Sequence, residues 1–196
     1  MKIYLDTGVF IDYLSPLILG GINLRPTNRR GRTPAQLSQD AESVLKKIAS
    51  SHLAATSSLT YYEVEEALFK QFTSVTIGME NASNFRVLAA RSIVVQTFNV
   101  VRFFGITALD LTSTIVELQL NCLELQMRGI RAADALHVAT AIHFNAEVFI
   151  SYKPFFAEEF ISEMIFLPVT SKIKKEEIPS FNSFTFMNKE LLNGFG

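Results

Sequence analysis

The chain has 196 residues, enough for one sizeable core and short for two full domains. Its formal charge of −1 argues neither for nor against a nucleic-acid partner, and one cysteine, Cys122, excludes an internal disulfide framework and any multi-cysteine metal site. Although 48% of the residues are hydrophobic, no run of about 18 apolar residues reads as a membrane-spanning helix. The most apolar window, Ile93 to Leu109, is broken by Gln96, Asn99 and Arg102. Asp6 and Asp12 stand where a signal peptide would need an uninterrupted apolar segment, so the cytoplasm is the expected compartment.

In chain order, Lys2 to Asp6 is a short apolar run ending in an acid, which reads as a buried strand. Two helical turns through Ile11, Tyr13 and Leu14 are expected next, broken near Pro16, with Asp12 facing solvent. Arg25, Arg29, Arg30 and Arg32 follow in a stretch rich in Gly and Pro. That reads as an exposed basic loop suited to phosphate contacts, or simply as a solvated one. Thr33 and Pro34 supply a helix cap and first position, and Gln36 completes a capping box with Thr33. Leu37, Ala41, Val44, Leu45 and Ile48 then share one helical face.

Leu53 to Thr56 is the second strand candidate, ending in Ser57 and Ser58, with a helix from Thr60 carrying Val64, Ala67, Leu68 and Phe72. Residues 78–103 resist assignment: Phe85, Leu88, Arg91 and Val95 have helical spacing, while Ile93 to Val95 is a β-branched run. Ile106 to Leu109 is a third strand candidate. Leu111, Ile115, Leu118, Cys122 and Leu125 step by four and three along an amphipathic helix closed by Gly129. A last helix spans about Ala132 to Phe144, with Asn145 at its end. Glu147 to Ser151 and Ile165 to Val169 are the fourth and fifth strand candidates. Short apolar strands alternating with helices predict a mainly parallel sheet covered on both faces, with working residues at the carboxyl ends of its strands.

Four segments carry a resemblance. They are Tyr4-Leu5-Asp6-Thr7-Gly8-Val9-Phe10-Ile11-Asp12, Thr56-Ser57-Ser58-Leu59-Thr60-Tyr61-Tyr62-Glu63-Val64, Gly129-Ile130-Arg131-Ala132-Ala133-Asp134-Ala135-Leu136-His137-Val138-Ala139-Thr140-Ala141, and Phe149-Ile150-Ser151-Tyr152-Lys153-Pro154-Phe155-Phe156. In order and spacing they resemble the PIN-domain family, and in particular the VapC-type toxin ribonucleases of toxin–antitoxin pairs. The likeness runs over residues 1–169, more loosely in 17–50 (the basic loop and a helical insertion) and in 70–105.

The resemblance implies a three-layer α/β/α sandwich around a mainly parallel sheet of about five strands. It implies a metal-dependent endoribonuclease whose Asp6, Glu63 and Asp134 converge to hold Mg²⁺ or Mn²⁺. Thr7, Ser58, Ser151 and Lys153 stand in supporting positions. Arg25, Arg29, Arg30, Arg32 and Arg131 are candidates for RNA contact, and a small antitoxin protein is the implied partner. Phosphodiester hydrolysis needs an activated water and neutralisation of phosphoryl charge, which a hard divalent ion on a few carboxylates supplies.

Each acid has a structural alternative. Asp6 beside Gly8 suits a turn, Glu63 suits a capping box with Thr60 and a staple from Leu59 and Val64, and Asp134 suits a helix dipole. Thr7 and Ser58 read as turn caps, and His137 as a packed or surface histidine.

The family's fourth acid is replaced by Lys153, a change of two charge units that disfavours a second ion. A degenerate PIN fold that binds RNA or a protein partner without catalysis is therefore the alternative. A phosphatase of the haloacid-dehalogenase type is rejected, because Gly8 stands where its second acid would be.

Residues 170–196 lie beyond the resemblance. Phe181, Phe184, Phe186, Met187, Leu191, Leu192 and Phe195 make the segment too aromatic for a disordered tail. It is expected to dock on its own domain as an added edge strand, with a homodimer interface as the other candidate.

Overall fold

The computed structural model describes residues 1–18, 33–122, 125, 130–151, 166–168 and 182–186. Among them, six strands form one sheet in the order β3-β2-β1-β4-β6-β5. The strands are β1 (Lys2–Leu5), β2 (Leu53–Ser57), β3 (Thr107–Leu109), β4 (Val148–Ser151), β5 (Phe166–Pro168) and β6 (Asn182–Phe186). The first four are parallel, with β1 between β2 and β4 and β2 flanked by β3.

Because side chains alternate along a strand, β1 feeds both faces of the sheet. Ile3 and Leu5 pack into one apolar cluster, with Ala54, Val148 and Ile150 from the neighbouring strands. Tyr4 points the other way, into a second cluster with Ala55 and Phe149. A strand buried on both sides must be apolar throughout, which is why β1 and β4 read as unbroken apolar runs.

The first cluster is covered by α1 (Thr7–Ile18), α2 (Pro34–Ser51), α3 (Leu59–Val75) and α4 (Ala82–Phe103). The second lies under α6 (Ala132–His143), against which α5 (Ser113–Asn121) packs. Helices on both faces of a parallel core make this an α/β/α sandwich, as expected. None of the described helices is long and apolar enough to cross a membrane.

Local chemistry sets the helix ends. Thr33 and Gln36 form the expected reciprocal capping box, and Leu37, Ala41, Val44, Leu45 and Ile48 are the buried face of α2. The helix α1 runs through Pro16 to Ile18 rather than breaking there, and Asp12 is buried instead of solvent-facing.

Residues 82–103, left unassigned by pattern, form the 22-residue α4. Tertiary packing overrides the β-branched run, since Ile93 is buried against the rest of the first cluster. Tyr61 stacks on Phe98 at 3.9 Å between centroids and Phe72 meets Phe85 edge-on at 6.2 Å, so α3 and α4 pair antiparallel. Gly105 closes α4 at φ +63°, with Ile106 N–H donating to Val101 and Gly105 N–H to Arg102. Asn145 closes α6 in the same way at φ +56°, through Ala146 to Ala141 and Asn145 to Ile142. Both are Schellman ends, which need a residue in the left-handed region.

The strand β6 corrects one expectation. It pairs antiparallel with β4 on one side and with β5 on the other, so it lies inside the sheet, and β5 is the edge.

Candidate metal centre

Asp6 is the first residue beyond β1. Its N–H still follows the ladder, donating to the Ile150 carbonyl at 3.0 Å, while its carbonyl accepts from Val9 in the first turn of α1. The switch from strand to helix therefore fixes Asp6 at the carboxyl end of the sheet, between β1 and β4. Its carboxylate is 2% exposed. Oδ1 accepts the Thr7 N–H at 2.8 Å and Oδ2 accepts the Ser151 hydroxyl at 2.6 Å. Hydrogen bonds to an ionised, buried carboxylate are the strong kind, and both oxygens are held.

Thr7 links Asp6 to the next element. Its hydroxyl donates to Glu63 Oε2 on α3 and lies 3.2 Å from His137 Nε2 on α6. Behind it, Thr56 donates to the Leu5 carbonyl at 2.9 Å, and the Thr60 hydroxyl sits 2.7 Å from Thr56 and 3.4 Å from Thr7. Each hydroxyl has one proton to give. With Thr56 committed to Leu5, Thr60 donates to Thr56.

His137 completes the group. Its ring is 1% exposed, with Nε2 2.8 Å from Glu63 Oε2 and 3.9 Å from Asp6 Oδ1. Nδ1 lies 2.8 Å from the Tyr4 hydroxyl. Since the Thr7 proton goes to Glu63, the contacts of Nε2 with Glu63 and Thr7 fit an Nε2–H donor, with Nδ1 accepting from Tyr4. Burial first, and then the Asp6 charge, push the Tyr4 phenol well above its ordinary pKa. It stays protonated across the neutral range.

Asp6, Glu63 and His137 each offer one ligand atom, and the three atoms lie within 4.8 Å of one another. That group could hold a metal ion. The donor set fits one: two carboxylates supply hard oxygens and negative charge, and an imidazole supplies nitrogen. Glu63, 19% exposed, is the most accessible of the three.

The other expected residues fall as follows. Asp134 is 6% exposed in the first turn of α6, one turn before His137 and so on the same helix face, but outside that group of three. Ser151 holds Asp6 directly. Ser58 does not cap through its side chain; Ser57 does, accepting the Leu59 N–H at 3.2 Å. The helix α3 starts at Leu59, so Thr60 is inside it, and Thr60 serves the hydroxyl chain rather than a capping box with Glu63. Arg131 is exposed at the cap of α6. Lys153, Arg25, Arg29, Arg30 and Arg32 lie outside the described residues. His137 is packed, as expected, but packed against carboxylates. The available signal was its place one helical turn after Asp134.

No protein-family model matches the chain. No curated protein matches it either. Among solved structures, the chain is similar to VapBC2 from Rickettsia felis, crystallised bound to a DNA fragment from their promoter, with a TM-score of 0.46 and 15% identity over 80% of this chain and 91% of that one. This is a distant structural similarity.

Proposed function

We propose that the chain is a metal-dependent endoribonuclease hydrolysing RNA phosphodiester bonds, and the toxin of a toxin–antitoxin pair acting in the cytoplasm. The observation that carries the proposal is the convergence of Asp6, just beyond β1, and Glu63, on α3, with His137 of α6, one helical turn after Asp134. Asp6, Glu63 and Asp134 would hold Mg²⁺ or Mn²⁺. A bound ion of this kind lowers the pKa of its water and neutralises phosphoryl charge.

The protein's own part is positional. Ser151 and the Thr7 N–H keep both Asp6 oxygens oriented. Thr7 holds Glu63, and the Thr56–Thr60 pair fixes the turn behind it. Arg131, exposed beside the first turn of α6, would meet a phosphate, and the arginines at 25, 29, 30 and 32 would extend that contact. A small antitoxin is the proposed protein partner.

Cleavage of a mixed RNA pool with and without divalent ion is the test. Activity should require the ion and fall by more than about a hundredfold in Asp6→Asn and in Asp134→Asn, which keep shape and remove charge. Full cleavage by both variants, or in excess chelator, would place the nuclease elsewhere. The second reading, RNA or protein binding without catalysis, draws on Lys153 in place of an acid. RNA retention without cleavage under any divalent ion would favour it, and so would restoration of cleavage by Lys153→Asp.

A further inference from the structure

We propose that His137 is itself a ligand, so that the centre is a mixed nitrogen–oxygen site of Asp6, Glu63 and His137 built for a first-row transition ion in preference to Mg²⁺. This rests on the metal-centre reading above and narrows it.

The geometry comes first. The ring is wedged between β1 and α3 with Nε2 turned toward both carboxylates, 2.8 Å from Glu63 Oε2 and 3.9 Å from Asp6 Oδ1. The hydrogen bond to Glu63 satisfies the buried ring nitrogen and at the same time aims it at both acids. An ion seated among the three ligand atoms would meet Nε2 as readily as either carboxylate, because all three already lie within 4.8 Å of each other.

The far side of the ring meets the second requirement. A metal-bound histidine donates its other N–H to a fixed acceptor, which sets the tautomer and the ring plane. Tyr4 Oη, 2.8 Å from Nδ1, is in that place. A phenol both donates and accepts. It can donate to Nδ1 while Nε2–H faces Glu63, and accept from Nδ1–H when Nε2 presents its lone pair. Tyr4 is itself fixed by stacking on Phe149, at 5.3 Å between centroids and 10° between planes.

Ion choice follows from ligand type. Mg²⁺ favours oxygen ligands and retains water in preference to imidazole, whereas first-row transition ions accept nitrogen and oxygen together.

Mn²⁺ is the probe, because pulsed electron paramagnetic resonance on the full chain reads ¹⁴N coupling from a bound imidazole directly. The wild-type protein should show that coupling and should bind Mn²⁺ more tightly than Mg²⁺ in competition. In His137→Gln the coupling should vanish, and the Mn²⁺-over-Mg²⁺ preference should drop by roughly ten- to a hundredfold. Tyr4→Phe should keep the coupling and weaken Mn²⁺ binding, as expected of a positioning residue. Mn²⁺ bound to the wild type without ¹⁴N coupling would overturn the inference and leave the nuclease reading standing. Failure of both ions to bind would remove the two together. The wild-type spectrum decides the matter even if His137→Gln does not fold.

Discussion

Both oxygens of the buried Asp6 carboxylate are held by protein donors, so losing one leaves charge without compensation. Ser151→Ala removes the 2.6 Å hydroxyl and should cost about 1.5–3 kcal/mol, the range for hydrogen bonds to charged groups. Urea unfolding measures it, and Ser43→Ala, on an exposed face of α2, serves as a near-neutral control. Tyr4 gives a pH signature. Its folded pKa is raised by burial and by Asp6, so the folded state keeps the phenol proton where the unfolded chain releases it. Stability is therefore intact below about pH 10, the ordinary tyrosine value, and falls as pH climbs from there toward the folded value. Between pH 9 and pH 11 the unfolding midpoint should fall less in Tyr4→Phe than in wild type. A residual fall is expected from Tyr61, which burial shifts in the same direction. An equal fall in both proteins would mean that Tyr4 ionises as freely as in the unfolded chain.

At the scale of elements, helix ends carry measurable energy. Gly105 needs φ +63°, and a Cβ there would meet nothing within 4 Å, so the penalty of Gly105→Ala is conformational and not steric. It should be about 1–2 kcal/mol, the cost of left-handed backbone for an L-residue. Thr33→Ala should cost about 1 kcal/mol through the lost capping box. A calorimetric scan showing neither loss would mean these ends fray in solution. The two ends also show what a sequence can reveal. The α2 cap was readable because Thr33, Pro34 and Gln36 are local signals followed by a clean apolar stripe. The long α4 was not, because Ile93 to Val95 argues for a strand. What settles it is the pairing of Tyr61 with Phe98 and of Phe72 with Phe85, contacts invisible to local pattern. The same limit applied at the site. Asp6 could be found at a strand end, and Glu63 by motif. The hydroxyl chain through Thr56, Thr60 and Thr7, and the turn of His137 toward Glu63, depend on which face of β1 meets α6.

For the whole molecule, the strand order explains both the site and its vulnerability. The central strands β1 and β4 are neighbours although most of the chain separates them, and at such a junction the loops diverge and leave a crevice at the carboxyl ends. Asp6, just beyond β1, and Ser151, the last residue of β4, meet at that junction. The far side of β4 is paired by β6, from residues 182–186, through the register Val148–Thr185 to Ser151–Asn182. The chain's last described strand therefore braces the strand whose end holds Asp6. Deleting residues 180–196 would leave β4 as an open edge and strip β5 of its neighbour, since β5 pairs with β6. At about 1 kcal/mol net per hydrogen bond, losing several ladder bonds removes a few kcal/mol, which lowers the melting temperature by roughly 10 °C in a chain of this size. An unpaired, apolar β4 edge should also make the truncated protein associate with increasing concentration. Because Ser151 sits on that edge, divalent-ion affinity should weaken in parallel with stability. Melting temperature, sedimentation at two concentrations and Mn²⁺ titration of the truncated chain read the three effects. A truncated protein that melts at the wild-type temperature, stays monodisperse and binds Mn²⁺ unchanged would show that β6 supports neither the sheet nor the site.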